Sequence, residues 1–204
     1  MIDGVIKYNI EFTPSTPLKT AQFEAIERLR KRLFSLKLIG VENGIGYGNI
    51  SQKIDKHSFI ITGTQTGHLK DLNANHYSLI EEYNDKEFYL KSSGAIKPSS
   101  EALTHGTIYN LDENIKAVIH IHSKSIWRFM LESSRYLRTK DVEYGSIEMI
   151  EEVNRIFSTT PPLDNPKFVM TGHEDGVIIF GESLKEAELN LFNILSSFLI
   201  KSSF

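Results

Sequence analysis

The 204-residue chain contains no cysteine. Disulfides, cysteine-based zinc ribbons and thiol nucleophiles are therefore excluded, and any metal ion must be held by His, Asp or Glu. A surplus of charge is lacking too: 23 Lys and Arg stand against 26 Asp and Glu, a formal charge of -3. Such a balance offers no basic field for a nucleic-acid backbone or an anionic membrane, so neither is an expected partner. Every apolar stretch is broken by charge or glycine, and Met1-Ile-Asp-Gly lacks the basic start and apolar run of a signal peptide. A cytoplasmic location is the expectation. What is present is 40% hydrophobic residues, enough for one domain over residues 1–204 with a sizeable core.

Residues 1–17, with Pro14 and Pro17, read as an irregular arm. Phe23, Ile26, Leu29, Leu33 and Leu36 then recur at helical spacing until Gly40. Glycines 44, 46 and 48 mark a loop, Ser58 to Thr62 a buried strand, and Gly63 to Gly67 a second loop. His76 to Lys91 reads as one or two strands around Asn84-Asp85, followed by a helix capped by Ser99 or Ser100 and running to about Tyr109. Ala117 to Ile121 is rich in β-formers. Ser146 caps a helix whose apolar face is Ile147, Ile150, Val153 and Phe157, and Phe168 to Met170 and Val177 to Phe180 are short strands. Ser183-Leu-Lys-Glu186 is a capping box that opens a last helix, with Leu184, Ala187, Leu191, Ile194 and Phe198 along one face. Helices at both ends with strands between them imply an α/β fold of three α/β/α layers with a mixed, largely antiparallel sheet.

Four segments have the composition of a site. In Ala117-Val-Ile-His120-Ile-His122-Ser123, residues two apart on a strand share a face, so both imidazoles can meet one metal ion; two hydrogen-bonded histidines near a strand end are the plain alternative. Lys97-Pro-Ser-Ser-Glu101 places a carboxylate at the start of a helix, where it is either a reactive group or a favourable charge for the helix dipole. His105, one turn further on, either supports that carboxylate or is simply packed. The loops Gly44 to Ser51 and Ile61 to Gly67 suit a phosphate or carboxylate through backbone N–H groups and neutral Asn and Thr side chains, or are ordinary turns; neither has the Gly-Lys-Ser/Thr ending of a nucleotide-binding P-loop. Thr171-Gly-His173-Glu-Asp175-Gly176 is a polar turn that offers a further ligand, or a hairpin ending in Asp-Gly.

Taken in order, Gly48-Asn49-Ile50-Ser51, Ile61-Thr62 to Thr66-Gly67, Pro98-Ser-Ser-Glu101 with His105, His120-Ile-His122-Ser123, Tyr144-Gly-Ser146 and His173 to Gly176 resemble the class II aldolase/adducin family across roughly residues 20 to 200. The resemblance implies a homotetramer that holds Zn2+, or another divalent transition metal, through three histidines and acts on a small phosphorylated sugar. It makes His120 and His122 two of the ligands, Glu101 the group that transfers protons, and Asn49, Thr66, Gly67, Ser99 and Ser100 the phosphate cradle. The implied reaction is aldolase-type cleavage of a C–C bond through a metal-stabilised enediolate, with dehydratase or epimerase chemistry as the alternative. A non-catalytic module like the adducin head is the alternative of another class. Two departures stand out. The family's third histidine directly precedes a glycine, whereas here Asp175 does so; His173 is the expected ligand and Asp175 the runner-up. The loop from Ile61 to Gly67 is also longer than the usual Ile-Thr-Pro-Thr-Gly.

Overall fold

A computed structural model describes residues 5–202 of the chain. In chain order the elements are β1 (Asn9–Pro14), α1 (Thr20–Ser35), β2 (Gly40–Glu42), β3 (Ile45–Tyr47), β4 (Asn49–Lys53), β5 (Phe59–Thr62), β6 (Tyr77–Asn84), β7 (Tyr89–Gly94), α2 (Ala102–Leu111) and β8 (Ala117–His122). They continue with α3 (Lys124–Leu131), β9 (Leu137–Arg138), α4 (Ile147–Ile156), β10 (Lys167–Val169), β11 (Gly176–Gly181) and α5 (Leu184–Ser202). Nine strands form one sheet in the order β1-β7-β6-β5-β4-β8-β11-β10-β9, and β2 and β3 form a separate hairpin. Only the edge pairs β1/β7 and β9/β10 are parallel; the other pairs in the sheet are antiparallel. The mixed, largely antiparallel α/β sheet is thus the one expected.

Alternation along β8 splits the core in two. Val118, with Ile178 and Phe180 of β11, faces a cluster that includes Leu103 and Ile108 of α2 and Met149, Ile150 and Val153 of α4. Ile119 and Ile121 face the opposite way, toward Ile26, Leu29 and Leu33 of α1, Met130 of α3, and Leu191 and Ile194 of α5. Apolar residues on both faces of β8 are therefore buried, each contributing on the order of 1.5–3 kcal/mol of hydrophobic stabilisation. This leaves His120 and His122 as polar interruptions on the α2/α4 face of a central strand.

Several sequence expectations need correction. The arm over residues 1–17 is not irregular throughout: Asn9–Pro14 pair with Tyr89–Gly94 as a parallel edge strand, with Ile10 and Phe12 half-buried and Pro14 at the strand end, where a missing N–H does least harm. Its first four residues lie outside the described residues. Helix α1 ends at Ser35 rather than near Gly40, because Lys37 takes a left-handed conformation, φ 57°. The first glycine loop is a hairpin whose Asn43 and Gly44, φ 53° and 82°, supply a tight turn. Ile147 is exposed, and Met149 and Ile156 complete the buried face of α4 instead.

Candidate metal centre

The strand register assembles the site. Asn49 of β4 and Ile178 of β11 lie directly opposite His120 of β8, and Gly176 lies opposite His122. His120, His122 and Asn49 therefore share the face covered by α2 and α4. His173 enters from the turn between β10 and β11, which closes through Gly176 N–H donating to His173 O (2.9 Å) and Met170 N–H donating to Gly176 O (3.0 Å). Glycine leaves the imidazole its place after this turn: a Cβ on residue 176 would lie 2.7 Å from His173 Cδ2.

The three imidazoles gather so that one ring nitrogen from each lies within 4.8 Å of the others. Their ring centroids are 4.9 Å (His120 to His122), 5.3 Å (His120 to His173) and 4.6 Å (His122 to His173) apart. Asp175 is not in this group. Its Oδ2 lies 3.9 Å from Lys124 Nζ, and burial, opposed by that lysine, pushes its carboxyl up.

Glu101 sits immediately before α2, and here the structure differs from a simple cap. The carboxylate makes no hydrogen bond to the helix end. The expected serine capping is displaced upstream: Ser99 Oγ accepts from Glu101 N–H (3.3 Å) and Ser99 O from Ala102 N–H (3.0 Å). Freed from capping, Glu101 Oε2 accepts from Asn49 Nδ2 (2.8 Å) and approaches His120 Nδ1 to 3.1 Å. Burial pushes the Glu101 carboxyl up, but His120 beside it and the other two histidines outweigh that and hold it below the usual carboxylate range. His122 is held well below its usual value by burial and by its two histidine neighbours, which favours the neutral ring that a metal ion requires. His105 makes no hydrogen bond to the Glu101 carboxylate; its Nδ1 pairs with Ser51 Oγ at 2.7 Å.

A small open cleft of about 40 Å³ lies beside these groups. Asn49, Thr66, Gly67, Ser99 and Ser100 all line it, together with Glu101, His122 and His173, so residues from five separate segments meet. Among the described residues no lysine or arginine lines it, so an anion here would meet backbone N–H groups and Asn, Ser and Thr side chains rather than a fixed cation. The lengthened loop is braced from behind by the fully buried Arg30, which donates to the carbonyl oxygens of Thr66, Leu69 and Lys70. Thr66 Oγ1 donates to Gly63 O (2.8 Å), which fixes the loop internally.

Some contributors had no role assigned from the sequence. Tyr47 stacks on His122 and Tyr144 packs on His173, with centroids 5.1 and 4.8 Å apart. Lys7 donates to Tyr144 O at 2.6 Å, and the buried Tyr8 hydroxyl donates to Ser99 O at 2.8 Å, so the N-terminal segment braces both sides of the site. Tyr47 and Tyr144 lie in segments the sequence had singled out, but their packing on the imidazoles, and the part played by Lys7 and Tyr8, depend on contacts that no local spacing shows.

The donor set fits a divalent metal ion. Nε2 of His120, Oε1 of Glu101 and Oδ1 of Asn49 are buried without a hydrogen-bond partner, each at a cost of about 1–3 kcal/mol, and His120 Nδ1 has only the Glu101 carboxylate at 3.1 Å. Three imidazoles next to a carboxylate are the ligand chemistry that zinc and its neighbours accept.

Residues 40–198 match the sequence profile of the Class II Aldolase and Adducin N-terminal domain, and the chain belongs to that family. Among solved structures it is similar to an L-fuculose 1-phosphate aldolase (15% identity, TM-score 0.67, covering 92% of this chain and 89% of that one). A sugar-phosphate aldolase from Thermotoga maritima is 16% identical, with a TM-score of 0.66 and coverage of 88% and 93%. YgbL from Klebsiella pneumoniae, described as an aldolase, epimerase or decarboxylase without a choice among them, is 18% identical, with a TM-score of 0.66 and coverage of 89% and 88%. At these identities the likeness establishes the fold. No curated protein matches the sequence.

Proposed function

We propose that the chain is a metal-dependent aldolase-type lyase that cleaves a C–C bond in a small phosphorylated sugar. The observation that carries this reading is the convergence of His120, His122 and His173 beside a buried, ionised Glu101, at the edge of a cleft lined by neutral donors. His120, His122 and His173 would hold zinc or another divalent transition metal. When bound, such an ion supplies Lewis-acid polarisation of a substrate carbonyl and its neighbouring hydroxyl.

The chain's own residues account for the rest. Ser99, Ser100, Thr66, Gly67 and Asn49 orient the phosphate, leaving the sugar carbons toward the histidines. In the cleavage direction, the hydroxyl β to the carbonyl gives up its proton and the C–C bond breaks to release an aldehyde. Glu101 takes up that hydroxyl proton and then delivers it to the carbon left beside the carbonyl, which returns the carboxylate to its ionised form. Ionised at rest, the carboxylate is free to take up a proton, and Asn49 keeps it aimed. The exposed apolar residues Leu189, Phe192 and Leu199 of α5 support assembly into the homotetramer that the family resemblance implies.

The test is metal content by mass spectrometry, followed by a screen of ketose phosphates for release of aldehyde. About one zinc per chain is expected, lost in His120→Ala, His122→Ala and His173→Ala and kept in Asp175→Ala. Glu101→Gln should keep the metal and lose turnover by roughly 100-fold or more. A wild-type chain that binds no metal when several are offered would reject the lyase reading in favour of a non-catalytic interaction module. Metal binding with water loss or inversion, and no aldehyde, would move the reading to a dehydratase or epimerase.

A further inference from the structure

Beside Glu101 lies a second enclosed polar group that the mechanism above does not use. His105 follows Glu101 by one helical turn, so the two side chains leave the helix on the same side. Asn49 and Ser51, two apart on β4, face them from the sheet. Two adjacent rungs result, Glu101 to Asn49 at 2.8 Å and His105 Nδ1 to Ser51 Oγ at 2.7 Å. Ser51 Oγ also meets the Tyr109 hydroxyl at 2.7 Å, and all three members of this second rung are buried.

Burial holds the His105 imidazole down to about 3, so the ring is neutral and carries one N–H. One consistent orientation of these contacts has Tyr109 donating to Ser51 and Ser51 donating to Nδ1, and it places that N–H on Nε2. This Nε2 has no partner, and neither does Glu101 Oε1 on the neighbouring rung. A buried donor and a buried acceptor left unpaired on adjacent rungs are costly, and one side-chain movement can satisfy both.

We propose that His105 is a positioning residue that receives the Glu101 carboxylate: when substrate displaces the carboxylate from His120, Oε1 accepts from His105 Nε2–H, and the Ser51–Tyr109 relay holds the imidazole in the donating tautomer. This assignment rests on the aldolase-type reading of the site. It gives the carboxylate two defined positions, one against His120 and Asn49 and one against His105, and keeps it from swinging freely during proton transfer.

The test uses the zinc-loaded full-length protein and dihydroxyacetone phosphate, the smallest ketose phosphate. Exchange of its carbon-bound proton with deuterated solvent, followed by NMR, reads the proton-transfer step alone. His105→Phe should retain zinc and a KM within about threefold while losing exchange kcat by roughly 30-fold or more. His105→Gln, whose amide can both accept from Ser51 and donate to Glu101, should recover most of that loss. A second measurement does not depend on a variant folding: in wild type labelled with 15N-histidine, the His105 Nε2–H resonance should move downfield when dihydroxyacetone phosphate saturates the site. Exchange by His105→Phe at the wild-type rate, zinc loss in that variant, or an unmoved Nε2–H resonance would each overturn the assignment. Wild type that binds zinc yet exchanges no proton would overturn the aldolase-type reading and this assignment with it, whereas exchange by wild type and His105→Phe alike overturns the assignment alone.

Discussion

Gly176→Ala tests whether packing around the third imidazole sets metal affinity. Gly176 lies in β11 opposite His122, and its backbone does not use the left-handed region, so alanine suits the strand and should stabilise it by up to about 1 kcal/mol through backbone entropy. The new methyl would stand 2.7 Å from His173 Cδ2 and 3.0 Å from His173 O, whereas ordinary contacts begin near 3.4 Å. The backbone of the turn is tied by Gly176 N–H to His173 O, so the imidazole has to give, by about 0.7 Å (3.4 less 2.7). Displacing a ligand or its support by such an amount typically weakens a metal site 10- to 100-fold, or about 1.4–2.7 kcal/mol. Competition for zinc against a chromophoric chelator measures this, and urea unfolding of the metal-free protein should shift by no more than about 1 kcal/mol. Zinc affinity at the wild-type level in Gly176→Ala, alongside loss in His173→Ala, would refute the packing argument; retention in both would remove His173 from the ligand set.

Other outcomes follow from the same geometry. Gly67→Ala would place a Cβ 2.3 Å from Gly40 O and 2.7 Å from Tyr47 N, backbone atoms that cannot rotate away, and should cost roughly 1–3 kcal/mol in chemical denaturation while also narrowing the cleft. Arg30→Met leaves three loop carbonyls without their donor and removes the buried one of the two cations 4.0 Å from Glu27, the other being the half-exposed Lys31; a loss of about 3–5 kcal/mol is expected, and adding Glu27→Gln should recover part of it. The Glu152 carboxyl is lowered to about 2, chiefly by its hydrogen bonds from Arg155 at 2.6 and 2.8 Å. Its folded value lies below its unfolded one, so its stabilisation is present above about pH 4.5 and is lost as pH falls toward 2. Discounted for the half-exposed Arg155, the effect is on the order of 1 kcal/mol, and Glu152→Gln should flatten that part of the acid-unfolding curve. Chelation of a metal present at about 1,000 times its Kd should lower unfolding stability by about 4 kcal/mol, read as a drop in Tm absent from His120→Ala.

Much of this was legible one segment at a time. The Ser146 and Ser183 caps act as their patterns imply, Ser146 Oγ accepting from Met149 N–H and Ser183 Oγ from Glu186 N–H. The strands from Phe59, Tyr77, Tyr89, Ala117 and Gly176 lie where β-branched and apolar runs put them. Strand β1 shows where local reading fails: Ile10 and Phe12 alternate with polar residues as an edge strand should, but Pro14 and Pro17 masked the pattern. Helix α3, only eight residues long, has too few turns to display a period.

The sequence by itself determined the donor types and which of them share a face. With no cysteine, a His-x-His strand and a carboxylate before a helix, the metal chemistry was bounded by composition and the two-residue repeat of a strand. Only the tertiary structure decided which groups meet. Whether His173 or Asp175 joins the pair depends on the closing bonds of the β10–β11 turn, and whether Glu101 caps its helix or faces His120 depends on Ser99 and Asn49. Those outcomes are fixed by strand register and by long-range contacts such as Tyr8 to Ser99, which join positions that no local spacing relates.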